Sequence, residues 1–595
     1  MTSTLPRIFS ALLEKHKDSS DVKATPKRTK SSKKTPIEPT IAAKTEAKAP
    51  VEAPNHIPIN EIPTYTPRKT RVVCVGAGFS GLMLAYLIQK EKKMDEYVDL
   101  TIYEKNNDVG GTWLENRYPG VACDVPAPIY TFSWAPNPDW SEFYAKGPEI
   151  WQYVKNTADK HGLEKNIKFQ SKVIESIWSE ADGKWKLVIE RDGTRFNDEC
   201  DIFINAAGIL NHWKWPEITG LHDFKGKLMH SAVWDQDYDY KGKRVALIGN
   251  GSTALQILPA IRESCAHVVN YIRRPTWISA NYAAHHTRDG SNFKYTEEEK
   301  EAMRNDPAKL LAYRKSIEHD MNKFIVTLIK DTPEQKGAVA AFTQIMRERL
   351  QHDEQLCEIL IPKWDVGCRR LSPGDGYLES LMSSNVTPEF RGIDQVTSKG
   401  IKTVDGSEEE FDLIICATGF DVSFRPTWKM IGRNGADLSK VWEKDPKAYM
   451  SIMAPSFPNY MIFNGPNCAV GHGSLLAVME ATAGYIVKWI KKYATEDIKS
   501  FEPTPAALSD LEEYTQEFLK RTVWTSGCKS WYKNADGKLT ALWGGSAVQY
   551  REVLEVIRGE DFSIGWNSAN RFRFFGNGFT VRETEGQDLS WYLMQ

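Results

Sequence analysis

The sequence predicts an α/β fold with two Rossmann-like domains, the second interrupted by a helical insertion. Three observations carry this. "TRVVCVGAGFSG" is a β-rich apolar run that ends in glycines and leads into the helical spacing of "GLMLAYLIQKEKK" and a further strand, "VDLTIYEKN". The same unit returns as "KRVALIGNGS", "TALQILPAIRES" and "HVVNYIRRP". Between about 295 and 360 the pattern turns helical, in "YTEEEKEAMRNDPAKLLAYRKSIEHDMNKFIVTLIKD" and "GAVAAFTQIMRERLQHDEQL".

Residues 1–65 stand apart. "KATPKRTKSSKKTPIEPTIAAKTEAKAP" is rich in Lys, Thr, Ala and Pro without apolar period, and reads as a disordered basic tail. "MTSTLPRIFSALLEK" has amphipathic spacing, but Glu14, Asp18 and Asp21 are unlike a transit peptide, so a solvated tail is preferred over a membrane-touching segment. The order then runs as a first dinucleotide domain over 66–215, a second over 216–395 with the insertion at about 295–360, and a return to the first over 396–595. "FINAAGIL" and "ICATGFD" are buried strands ending in small-residue turns where the chain passes between domains.

Composition narrows the function. A net charge of −2 gives no global attraction to nucleic acid. The nine cysteines are scattered without a C-x-x-C, so neither a redox dithiol nor a metal knuckle is signalled, and no metal is expected. Their odd number and the lack of a secretory signal favour a reducing, intracellular setting, the tail leaving an organellar or membrane-associated one open. No apolar run reaches the about 18 residues of a membrane span. Oligomeric state is not legible.

Gly76, Gly78 and Gly81 form G-x-G-x-x-G between strand and helix. The first permits the tight turn, the second admits a pyrophosphate, and the third lets helix and strand approach. Glu104 ends the following strand, where a carboxylate accepts ribose hydroxyls. The second unit has Gly249, Gly251 and Ala254, with Ser252, Thr253 and Gln256 opening its helix near the expected phosphates. Its second strand ends in Arg273-Arg274, suited to a 2′-phosphate. The acid-terminated site suits FAD and the arginine-terminated site suits NADPH.

Two longer patterns lie between and beside these turns. "DFKGKLMHSAVWD" contains Phe224, Gly226, His230, Trp234 and Asp235; "GGTWLENRYPGVACD" contains Gly110, Gly111, Thr112, Trp113, Tyr118, Pro119, Gly120 and Asp124. Together they resemble the class B flavoprotein monooxygenases, and among them the Baeyer–Villiger monooxygenases, over about 70–590. "CDVPAPIYTFSW", which includes Tyr130, and "GCKSWY…LWGGSAVQY" look most like the fungal secondary-metabolite branch.

The resemblance implies an NADPH-dependent enzyme that uses a C4a-peroxyflavin to insert oxygen into a ketone, here a polyketide or terpenoid ketone, giving an ester or lactone. It implies a linker role for His230, with Trp234 packing the hinge. In "VGCRRLSPGDGY", Arg370 is the expected catalytic cation, oriented by Asp124, and Arg369 the expected 2′-phosphate ligand beside Arg273. Gly471-His472-Gly473 precedes a long helix whose N-terminus suits the flavin edge. The tryptophans of 524–543 read as core. Two other readings stand: an N- or S-oxygenating flavin monooxygenase on the same fold, and a non-oxygenating FAD/NADP-binding regulatory flavoprotein.

Overall fold

The computed structural model describes residues 59–593 apart from 92, 280–282 and 289, so the expected disordered tail lies almost wholly outside the described residues. Thr70–Val75 is the central strand of a five-stranded sheet, ordered Tyr460–Ile462, Ile202–Asn205, Thr70–Val75, Val98–Tyr103, Ile167–Lys168. Every neighbouring pair is parallel. Val72, Val73 and Cys74 are fully buried, the pattern of a strand covered on both faces.

A second parallel sheet runs Val386–Glu389, His267–Tyr271, Arg244–Ile248, Leu413–Cys416, Lys227–His230. Its composition corrects the expected domain boundary at 395. Leu413–Cys416 pairs with Arg244–Ile248 and with Lys227–His230, so the chain leaves the second domain only after this wholly buried strand. An apolar four-residue run fits either sheet by its own pattern, and pairing alone assigns it.

The helical insertion comprises Glu297–Asn305, Pro307–Lys323, Pro333–Arg349 and Glu354–Leu360. Each helix starts where a side chain caps it: Thr296 (with Glu299 completing a capping box), Asp306, Thr332 and Asp353. Arg314, on the second of these helices, donates to the Pro128 carbonyl at 2.9 Å and to Thr131 Oγ1 at 3.1 Å, docking the insertion on the first domain.

The 21-residue helix Leu475–Thr495 buries Trp489, stacked on Phe501 at 4.2 Å. Among the described residues, 570–593 group with 59–65 as a small unit, not with the first domain as expected. Within that unit the Thr64 hydroxyl donates to the Phe575 carbonyl at 2.7 Å. Among the described residues, no helix is long and apolar enough to cross a membrane.

Candidate active site

The first glycine turn follows Thr70–Val75. Gly76 has φ +104°, and a Cβ there would lie 2.5 Å from the Ala206 carbonyl oxygen. On Gly81 it would lie 2.1 Å from the Gly76 oxygen, so turn and helix interlock only without side chains. Gly78 differs: a Cβ there meets only the Gly111 backbone, at 3.6 Å or beyond. The two glycines face each other across a slot walled by backbone. Helix Phe79–Tyr86 opens beside it without a side-chain cap, its first N–H groups free for an anion. Glu104 is buried beneath the turn, each oxygen accepting a backbone N–H, from Ala77 and from Asn106, at 2.8 Å. Burial raises its carboxyl pKa, and those two bonds oppose the rise. The slot fits the pyrophosphate of FAD.

Thr112 starts the short helix after Gly111, and Trp113 donates its indole N–H to the Tyr130 hydroxyl at 3.3 Å. Tyr130 also packs edge-on against Phe79, which ties the second motif to the first glycine helix. Gly120, at φ +83°, lies so close to the second nucleotide helix that a Cβ would sit 2.4 Å from the Gln256 carbonyl oxygen.

The second turn repeats the logic. Gly249 has φ +123°, with a hypothetical Cβ 2.5 Å from the Ala417 oxygen, and Gly251 is open. Helix Ser252–Ile261 again begins uncapped, and Ser252 Oγ lies 2.5 Å from Ser372 Oγ. Gln256 also serves the domain contact: its amide oxygen accepts from Tyr118 at 2.9 Å and its amide nitrogen donates one N–H to the Ala122 carbonyl at 2.9 Å. Thr253 is drawn into the same contact through the Tyr118 hydroxyl, whose pKa burial pushes up to about 12.

Beyond this helix a cleft of about 180 Å³ is lined by Asn250, Arg273, Arg274, Arg369 and Lys529. Burial lowers the Arg369 pKa, and the charges of Arg273 and Arg274 lower it further. Arg369 donates to the Pro275 carbonyl at 3.2 Å, and Asn250 to that of Arg274 at 2.7 Å. Four cations around a cleft with no carboxylate in its lining are the chemistry of a phosphate dianion, which fits the 2′-phosphate of NADPH.

Arg370 pairs instead with Asp124. Its Nη2 contacts both oxygens of Asp124 at 2.8 Å, and Nε contacts Oδ2 at 3.1 Å. Tyr532, fully buried, lies within hydrogen-bonding reach of Arg370; burial raises its phenol pKa and the guanidinium opposes the rise. The pair brings the second motif onto the basic dipeptide.

In the linker, a Cβ on Gly226 would lie 2.5 Å from the Phe224 ring and 2.7 Å from the Asp412 oxygen. His230 Nδ1 accepts from the Ala232 N–H at 3.2 Å, so Nε2 carries the proton toward Thr418 Oγ1 at 3.3 Å. The ring stacks on Trp213 at 4.5 Å, and burial lowers its pKa to about 4. Trp234 packs edge-on against Tyr240, and Asp235 pairs with Lys227. His472 accepts from the Ala547 N–H at 3.1 Å and is buried, with a pKa lowered to about 4. It packs the approach to helix Leu475–Thr495, whose N-terminus has no side-chain cap. Trp524 and Trp543 are core residues, as read from the sequence.

The cysteine expectation is corrected. Cys368 and Cys528 form a disulfide, 160 residues apart in sequence. Spacing gave no sign of it, because the partners meet only when the C-terminal segment folds over the second domain. That segment supplies Lys529 and Tyr532, and neither was singled out from the sequence. The one signal was that "GCRR" and "GCKSWY" each place a cysteine beside basic residues. Elsewhere, His285 and His286 both hydrogen-bond Asp320 Oδ2, at 2.8 and 2.9 Å; this trio ties a loop to the helical insertion.

A flavin-binding monooxygenase-like family profile matches residues 69–290. The FAD-binding monooxygenase tazF of Aspergillus terreus is 49% identical over 89% of this chain and 96% of its own length. The FAD-binding monooxygenase stcW of Emericella nidulans is 37% identical over 87% of each chain. Among solved structures, cyclohexanone monooxygenase from Rhodococcus sp. Phi1 bound to NADP+ superposes with a TM-score of 0.72 at 24% identity, covering 84% of this chain and all of its own. An oxidized steroid monooxygenase bound to NADP gives 0.71 at 25% identity, covering 83% of this chain and 99% of that one. The sequence motifs, two glycine turns on two parallel sheets and this extent of identity agree: the chain belongs to the FAD-binding monooxygenases.

Proposed function

We propose that this enzyme is an NADPH- and O2-dependent Baeyer–Villiger monooxygenase that inserts oxygen beside the carbonyl of a polycyclic ketone of polyketide or terpenoid type, giving an ester or lactone. The observation that carries this reading is the Arg370–Asp124 pair, a cation held by both oxygens of one carboxylate.

Gly78, Gly111 and the uncapped helix after them would hold FAD; Arg273, Arg274 and Arg369 would hold the 2′-phosphate of NADPH. Bound FAD supplies hydride acceptance and oxygen activation. Arg370 supplies a fixed positive charge where negative charge develops as oxygen adds to the carbonyl carbon. Asp124 occupies one edge of the guanidinium and sets its plane. His230 and Trp213 bind the linker to the strand end at Thr418, so movement of the second domain is transmitted to the first. His230 is neutral at working pH and acts as a positioning group.

The test is NADPH oxidation by the flavin-loaded enzyme with polycyclic ketones, with mass spectrometry of the product. A product one oxygen heavier, formed only when ketone is present, supports the reading. Oxygenation of a thioether or amine with no ketone product overturns it in favour of the N- or S-oxygenating alternative. NADPH oxidation indifferent to every ketone overturns it in favour of a non-oxygenating flavoprotein.

A further inference from the structure

The disulfide joins two residues that each immediately precede a cation of the phosphate cleft. Cys368 is followed by Arg369, and Cys528 by Lys529. Their Cα atoms are 6.2 Å apart and both side chains are buried. The segment between the short helical turn Val523–Thr525 and Tyr532 contains no helix or strand, so its position depends on discrete ties. They include the disulfide, a hydrogen bond from Ser526 to Asp365, and the Lys533 ammonium, which donates to the carbonyls of Ser526 at 2.6 Å and Cys528 at 3.0 Å. Gly527 sits within this segment, and a Cβ there would meet nothing within 4 Å. Lys529 itself is exposed, with no ion-pair partner among the described residues, so it is free to turn toward a ligand. A flexible ammonium on an irregular segment loses affinity to conformational entropy unless its backbone is held.

We propose that Lys529 is a specificity residue for the 2′-phosphate of NADPH and that the Cys368–Cys528 disulfide is the thiol-sensitive clasp that holds it over the cleft. This rests on the reading of the cleft as the NADPH site. The redox step needs a dithiol reductant. One of its thiolates attacks a sulfur of the Cys368–Cys528 bond, breaking it and forming a mixed disulfide; its second thiol displaces the remaining cysteine. The products are two protein thiols and the oxidised reductant, with two electrons and two protons transferred. The cleft keeps its three arginines after reduction, so NADPH recognition weakens without being abolished.

Steady-state kinetics of the holoenzyme with NADPH and with NADH, and calorimetric binding of 2′,5′-ADP, test this on five samples: wild type oxidised, wild type reduced with dithiothreitol, Cys528→Ser, and Lys529→Ala oxidised and reduced. Lys529→Ala is expected to raise KM for NADPH and Kd for 2′,5′-ADP about tenfold, the size of one charge-assisted hydrogen bond, and to leave KM for NADH unchanged. Reduction and Cys528→Ser should each raise the NADPH values several-fold, reversibly for reduction, and reduction should add nothing to Lys529→Ala. Non-reducing peptide mapping must show the Cys368–Cys528 link in the oxidised protein. Absence of that link, or NADPH and 2′,5′-ADP constants unmoved by Lys529→Ala, or by reduction and Cys528→Ser, overturns the inference. A wild type that fails to prefer NADPH over NADH overturns the underlying site reading instead.

Discussion

Arg370 and Asp124 lie 246 residues apart in sequence, yet the guanidinium places one nitrogen 2.8 Å from each carboxylate oxygen. The arginine side chain is 36% exposed and the aspartate 18%, so the carboxylate is the more deeply buried partner. Arg370→Ala is expected to abolish ketone oxygenation, with a loss of about 10²-fold or more, while flavin reduction by NADPH persists. Arg370→Lys should restore little, because an ammonium cannot reproduce the planar contact of Nε and Nη2 with the carboxylate. Stopped-flow reduction and product analysis separate the two steps; near-normal ester formation by Arg370→Ala would refute the assignment.

Asp124 acts through Arg370. Asp124→Ala leaves the cation in place but unheld, so kcat should fall about 10–100-fold with KM for NADPH little changed. Asp124→Asn should lie between the two, since an amide retains one acceptor. A thermal scan beside the kinetics shows whether loss of fold, not of orientation, is responsible.

The arginine cleft sets nucleotide choice. Arg273→Ala and Arg369→Ala should each raise KM for NADPH about 10–100-fold, as expected for loss of a charge-assisted bond to phosphate. KM for NADH should stay level or fall, because each substitution relieves repulsion within the cluster. Parallel titrations with the two nucleotides check this.

Two buried imidazoles predict acid sensitivity. His230 and His472 each have a folded pKa of about 4, below the ~6.5 of an unfolded chain. Both are neutral in folded and unfolded states above that range, so stability there is unaffected. As pH falls from about 6.5 toward 4, the unfolded chain binds protons that the folded protein refuses, and stability is lost, by roughly 3 kcal/mol per histidine at the lower limit. Thermal melting across this range should show the decline. His472→Gln should flatten it; an equally steep curve in that variant would count against the account.

Gly120 is a steric gauge of the domain contact. A methyl group there meets the backbone oxygen of Gln256, and the positive φ disfavours any side chain. Gly120→Ala is expected to cost about 1–3 kcal/mol of stability and to raise KM for NADPH as the second helix is pushed away. Unchanged melting temperature and KM would show that the contact yields freely.

The cofactor turns were legible because their chemistry is local. Gly76 and Gly249 occupy backbone geometry that L side chains avoid, within a few residues of the strand and helix that they join. The helical insertion announced itself through apolar spacing and carries its own caps. Arg370 and Asp124 came from motif resemblance, and the structure brings them together. Gln256 shows the limit: its position on the helix suggested a phosphate contact, and nothing local announced that its amide also bonds Tyr118 and the Ala122 carbonyl of the other motif.

By itself, then, the sequence determined the two glycine turns, the strands and helices around them and the Arg273-Arg274 pair at a strand end, because sterics and periodicity act over short stretches of chain. Tertiary structure alone decided that Leu413–Cys416 completes the second sheet, that Cys368 meets Cys528, and that Lys529 and Tyr532 reach the arginines. Those contacts join segments over a hundred residues apart, and such pairings are set by how whole layers pack, for which no local pattern of residues is a record.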